Sequence, residues 1–190
     1  MTRRLPPRPL ASASARIAGD ARGAVLVEFA IVAVPFIALM LAIIQTSLIY
    51  FAQETLETTV EAASRSIVTG KRQAADAAGK VAGMTQAQLA ERFRRAGCTS
   101  MPAFLSCSRL YVEVKNAGNW NDTPTALTFD ANGKISNTFA YDLGSQGSVV
   151  VVRFMYLWPL QGAPLFNLSN APSGQRVLFA TSVAKSEAYS

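Results

Sequence analysis

Glu28 holds the chemically least expected position in this chain. It lies in RGAVLVEFAIVAVPFIALMLAIIQTSLIYF, residues 22–51, and no residue from Phe29 to Phe51 is charged. An acidic group near the centre of a bilayer costs about 2–3 kcal/mol on insertion scales, and less toward the edge. At the edge of the run the carboxylate can snorkel to the headgroups, or it can meet a cation that neutralises it. Gly23, five residues earlier, carries no Cβ and leaves its backbone open to approach. A second candidate is the pair Cys98 and Cys107. Two thiols cannot fill a structural zinc site without further soft ligands. In an exported domain they would instead close a short loop as a disulfide.

Other chemistries are excluded by composition. The chain has no histidine, which removes His-based triads, His general bases and His metal sites together. No glycine-rich phosphate loop or metal-ligand cluster is seen, so an enzyme is not expected and no cofactor is implied. Glu54, Glu57 and Glu61 share a helix face with the character of a solvated surface rather than a catalytic dyad. The net charge of +6 is concentrated at one end. Five arginines and one aspartate precede Gly23, leaving 13 basic against 11 acidic residues after it. That is a basic head, with no basic stripe and interleaved aromatics to read nucleic acid.

The elements that must position these residues follow from periodicity. Residues 1–23, rich in Arg, Pro, Ala and Ser, read as a disordered cytoplasmic leader. Phe29–Phe51, about 23 residues or ~34 Å of helix, can span a ~30 Å hydrocarbon core with some tilt. Arginines on one side only place the N-terminus in the cytoplasm, and Tyr50 and Phe51 suit the far interface. A cleaved secretory signal is the rival reading. Its apolar region would be shorter and end in a small-x-small site, which is lacking here. Beyond the span, Leu56, Val60, Ala63 and Ile67 form one apolar helical stripe, so one helix is expected over 24–69, kinked at Pro35 and capped at Gly70. Lys71 and Arg72 would stand beside its negative end.

The remainder, 70–190, is expected to be an exported α+β domain. GKRQAADAAGKVAG reads as a loop or a frayed helix. Thr85 and Gln88 have capping-box spacing for a short helix that Gly97 would end, with Leu89 and Phe93 buried and Arg92, Arg94 and Arg95 mainly solvated. RLYVEVK alternates with period two, SVVVVRFMYLW is apolar on both faces except at Arg153, and QRVLFATSVAKSEAYS supplies a closing strand. The central strand should be the second, stopped by Pro159. The expected architecture is α+β. A long transmembrane and amphipathic helix packs on an antiparallel sheet of three or four strands, with one short extra helix.

The segment Arg22 to Phe29, with a basic leader, a glycine, four apolar residues, a glutamate and an aromatic, resembles the prepilin-peptidase site of type IV pilins and pseudopilins. The wider stretch RGAVLVEFAIVAVPFIALMLAII is similar to the TadE family, minor pilins of tight-adherence pilus systems. The similarity covers Arg22–Ile67, extends weakly to VVVRFMYLWPL and FATSVAKSEAY, and leaves 70–147 unmatched. The resemblance implies a membrane protein cut between Gly23 and Ala24 by an integral-membrane aspartic prepilin peptidase. It implies that Glu28 becomes the fifth mature residue, followed by the aromatic Phe29, and pairs with the new amine of a neighbouring subunit. Its implied partners are other pilin-like subunits and the Tad-type assembly machinery, at the bacterial inner membrane with a periplasmic C-terminal domain. The alternative is an uncleaved, signal-anchored periplasmic binding domain without a filament role.

Overall fold

The computed structural model describes residues 21–116, 126–160 and 167–187. The expected disordered leader lies outside the described residues apart from its last three positions, as do parts of the two expected loops. The chain divides into two units, 1–45 and 46–190, and the division falls within the first helix.

Helix α1 runs Ala21–Val68, 48 residues. It begins three residues before the expected start. Pro35 lies inside it and has no N–H to offer the carbonyl of Ile31. The far end is closed by several bonds. Thr69 N–H donates to Arg65 O at 3.1 Å, Gly70 N–H to Ile67 O at 3.0 Å, and Glu187 N–H to Val68 O at 3.2 Å. Gly70 has φ 71°, the left-handed conformation that turns the chain out of the helix.

The stretch after Gly70 is helical. Helix α2 spans Lys71–Val81, so Lys71 and Arg72 lie in its first turn rather than only beside the end of α1. Helix α3 spans Gln86–Thr99 and starts with the expected capping box. Thr85 N–H donates to Gln88 Oε1 at 2.8 Å, and Gln88 N–H to Thr85 Oγ1 at 3.3 Å. Gly97 does not end this helix, which continues to Thr99. Its glycine character answers a packing need. A Cβ there would stand 2.8 Å from the Phe154 ring, a separation that forces one of them to move.

A single turn of 3-10 helix, Cys107–Arg109, leads into the strands β1 (Leu110–Asn116), β2 (Val149–Pro159) and β3 (Gln175–Lys185). They form a three-stranded antiparallel sheet in the order β1-β2-β3. The architecture is therefore α+β, with two short helices where one was expected.

The sheet's inner face explains the amphipathic stripe. Leu56, Val60 and Ile67 of α1 are buried together with Val114 of β1, Val152 and Phe154 of β2, and Leu178 and Ala180 of β3. Phe93 of α3 completes this core, its ring meeting Phe154 edge-on with centroids 6.3 Å apart. β2 is apolar on both faces because a second cluster lies behind it. Met155, Leu157 and Val177 are buried there with Ile135. Glu113, on that outer face of β1, is buried too. It stands opposite Arg153 in the strand register and pairs with Arg153 Nη2 at 3.3 Å and Lys115 Nζ at 2.8 Å.

Candidate functional site

The residues singled out by chemistry lie in the first turns of α1. Gly23 is exposed and nothing within 4 Å would meet an added Cβ. The Gly23–Ala24 peptide is helical, since α1 starts at Ala21. A protease that reads an extended backbone must unwind this first turn, and glycine lowers that cost by about 1 kcal/mol relative to alanine. Ala24 and Glu28 are four residues apart, one above the other on a single helix face. Glu28 is exposed and has no ion pair among the described residues. Phe29 beside it is 70% exposed.

Beyond Glu28, the N-terminal half of the helix that carries them is apolar on all sides. Val25, Leu26, Phe29, Phe36, Leu41 and Ile44 each leave half or more of their surface uncovered. An 18-residue window reaches a mean hydropathy of 2.7, and none of that window is buried. A surface of this kind needs an environment that the chain itself does not provide, and length and composition suit a membrane anchor.

The two cysteines are joined, Cys98 to Cys107, with Cα atoms 5.6 Å apart. The bond ties the C-terminal turn of α3 to the entry of β1. Arg94 reinforces the same junction by donating from Nη1 to Cys107 O at 2.6 Å. Arg94 is also held by Glu91 through Nε to Oε2 at 2.7 Å, and Arg95 donates to Glu91 Oε1 at 2.9 Å. The Arg94 hydrogen bond, with that of Arg95, holds the Glu91 carboxyl well below the usual range, at about 2, against a smaller opposing effect of burial.

The periodicity did not reveal a buried polar cluster between α2 and α3. Arg72 donates from Nε to the Tyr141 hydroxyl at 2.9 Å and from Nη2 to Leu89 O at 3.0 Å, and it lies over the Phe93 ring. Tyr141 in turn donates to Asp76 Oδ2 at 2.6 Å. Asp76 also meets Arg92 Nη2 at 3.2 Å and Arg72 Nε at 3.3 Å. Burial, and then the Asp76 carboxylate, push the Tyr141 hydroxyl pKa up. Arg92 and Arg94 are thus engaged rather than mainly solvated, while Arg95 is mostly exposed. The spacing of Arg72 and Asp76, one helical turn, was the available signal. Both arginines pair with the one carboxylate, Asp76, and their other donors are taken up by carbonyls and the Tyr141 hydroxyl, which is the mark of a structural tie rather than a reactive centre. Among the described residues no group of three metal-ligating side chains converges.

The two units thus define a class: a chain with an apolar N-terminal helix fit to anchor it in a membrane, and an α+β domain. Residues 23–65 match the family model described as TadE-like protein, so that segment is similar to the family that the motif at Arg22–Phe29 resembles. Together, the match and the apolar helix fit a membrane-anchored component of a Tad-type pilus. No curated protein and no solved structure matches the chain.

Proposed function

We propose that this protein is a minor pilin or pseudopilin of a tight-adherence pilus, made with a basic leader, 1–23, that is removed between Gly23 and Ala24. The observation that carries this reading is the TadE-like match, which starts at Gly23 and takes in Glu28, Phe29 and the whole apolar segment. In this reading residues 29–51 span the bacterial inner membrane, the N-terminus is cytoplasmic, and 70–190 is the exported domain. The cut by an integral-membrane prepilin peptidase creates an α-amine at Ala24. Opposite charge then becomes available to Glu28 of a neighbouring subunit, offsetting part of the cost of holding a carboxylate in an apolar assembly and fixing register. The i,i+4 placement of Ala24 and Glu28 supports this economy, since one helix face presents both charges. Other pilin-like subunits and the Tad-type assembly machinery are the partners.

The experiment is the intact mass of the membrane-purified chain in cells with and without the peptidase. The expected result is loss of the mass of residues 1–23 only when the peptidase is present. A full-length chain in both strains would overturn the reading in favour of an uncleaved, signal-anchored periplasmic domain. Glu28→Gln should then abolish piliation while the protein still reaches the membrane, and normal pili in that variant would show that the carboxylate is incidental.

A further inference from the structure

The folded domain overlaps the end of the uncharged run. Residues 46–51 belong to the same compact unit as the domain, and the first charge after Glu28 is Glu54. Ile49 is 8% exposed and shares a core with Tyr156 and Leu178. Helix α1 and β3 run in the same direction, since Gln53 Nε2 donates to Phe179 O at 2.7 Å and Glu187 N–H to Val68 O at 3.2 Å. The start of β3, and with it the end of β2 at Trp158 and Pro159, therefore lies at the level of the run's last turns. This rim of the domain stands where a bilayer spanned by 29–51 changes from acyl chain to headgroup.

One part of the rim has the chemistry to meet that boundary. The loop CTSMPAFLSC, residues 98–107, carries no charge. It is held from inside, with Met101 and Leu105 buried in the core and the disulfide joining its ends. Leu105 N–H donates to Pro102 O at 3.0 Å, and Ser106 N–H to the Tyr156 hydroxyl at 2.9 Å. Between the two buried side chains Phe104 is turned out, 49% exposed, and stacks on Phe51 with ring centroids 5.6 Å apart. Leu48, Tyr50, Phe51 and Phe104 are all exposed and continue the apolar surface of the span onto the loop. A lone exposed ring is ordinary, whereas a patch continuous with a membrane-spanning segment shares that segment's solvent. Amphipathic and aromatic side chains collect at this depth, and the exposed Thr99, Ser100 and Ser106 supply groups that stay hydrated beside the ring. Glu54, three residues or about 4.5 Å of helix beyond Phe51, limits the depth.

We propose that the disulfide-closed loop is a membrane foot. Phe104 seats beside Phe51 in the headgroup and upper acyl region of the bilayer that α1 crosses, on the domain's side. The occupant of the patch is lipid. A second point of contact beside the helix restricts the tilt of the domain on the bilayer, and the disulfide braces that contact. The proposal rests on the reading of 29–51 as a span and is independent of the cut after Gly23.

The test is depth-dependent fluorescence quenching of the full-length chain in phospholipid nanodiscs. Three variants are compared: Phe104→Trp, Val81→Trp at the 91% exposed end of α2, and Ile37→Trp within the span. Each signal is read as the difference from the wild-type chain, which has Trp120 and Trp158. The Phe104→Trp signal should fall about twofold with phospholipid brominated in the upper acyl chain, the depth of an interfacial side chain, and should resist aqueous iodide far better than the Val81→Trp signal. Ile37→Trp should be quenched by phospholipid brominated near the bilayer centre. A Phe104→Trp signal open to iodide and untouched by brominated lipid overturns the foot, while a quenched Ile37→Trp keeps the span. A Phe104→Trp signal shielded from iodide yet untouched by brominated lipid also overturns it and gives the patch to a protein neighbour. If Ile37→Trp is itself untouched, the span reading fails and the foot with it.

Discussion

The two halves of α1 are built from similar residues and solve opposite problems. From Val25 to Ile44 the helix is apolar but for Glu28, and among the described residues none of its hydropathy window is buried. From Ala52 to Ile67 one stripe is apolar, and that stripe is buried on the sheet while Glu54, Glu57 and Glu61 remain exposed. The hydrophobic effect rewards both patterns, but only the second finds its partner within the molecule. A helix that is hydrophobic all round takes its stability from its surroundings, whereas an amphipathic one lends stability to the domain it covers.

That contrast is most directly challenged in the core. Phe154→Ala removes a fully buried ring that packs on Gly97 and Phe93 and should cost about 3–5 kcal/mol. Ile37→Ala, in the uncovered half where Ile37 is 56% exposed, should leave the domain's unfolding midpoint unchanged. Chemical denaturation of the two variants beside the wild type measures the difference, and equal losses would abolish the distinction. Asp76→Ala extends the test to polar burial. It leaves Arg72 with the Leu89 carbonyl, the Tyr141 hydroxyl and the Phe93 ring, but no anion, and should cost about 3 kcal/mol, the low end for breaking a buried pair. An Asp76→Ala midpoint equal to that of the wild type would show the cluster to be dispensable.

Reducing the Cys98–Cys107 bond is a smaller perturbation. The closed loop is short, with a sequence separation of 9, and the unfolded chain regains about 2–3 kcal/mol of loop entropy on reduction. Thermal unfolding with and without reductant measures it. The uncovered half of α1 should not respond, and a loss of its helicity at the same reductant concentration would contradict the separation of the two halves.

These features were unequally legible in the sequence. Period 3.6 marked Leu56, Val60 and Ile67, and period two marked the strands, because each pattern is written in consecutive residues that share one environment. The capping box at Thr85 and Gln88 was readable for the same local reason. Helix α2 was obscured because KRQAADAAGKV has few apolar residues and buries a charged pair, Arg72 and Asp76, whose partners come from 69 and 65 residues away at Tyr141. Gly97 was misread as a helix stop because nothing near it in sequence announces the Phe154 ring. Of the candidate site, the pattern Gly23, Glu28, Phe29 was fully visible.

The gentlest probe of the covered half is pH. The Glu91 carboxyl is held at about 2 against an ordinary value of 4.5 because Arg94 and Arg95 donate to its charged form. A depressed carboxyl contributes stability above its unfolded value and loses it as the pH falls through the folded one. The contribution should therefore be complete above about pH 5 and fade between about 4.5 and 2. The Glu91 side chain is 40% exposed, so solvent screening reduces it to less than about 1 kcal/mol. Thermal midpoints of wild type and Glu91→Gln should differ near neutrality, converge as the pH approaches the folded value, and differ less in high salt. Parallel profiles across that range would mean that the two arginines are held by the helix and the Cys107 carbonyl alone. The junction between α3 and β1 would then owe its order to the disulfide and to packing.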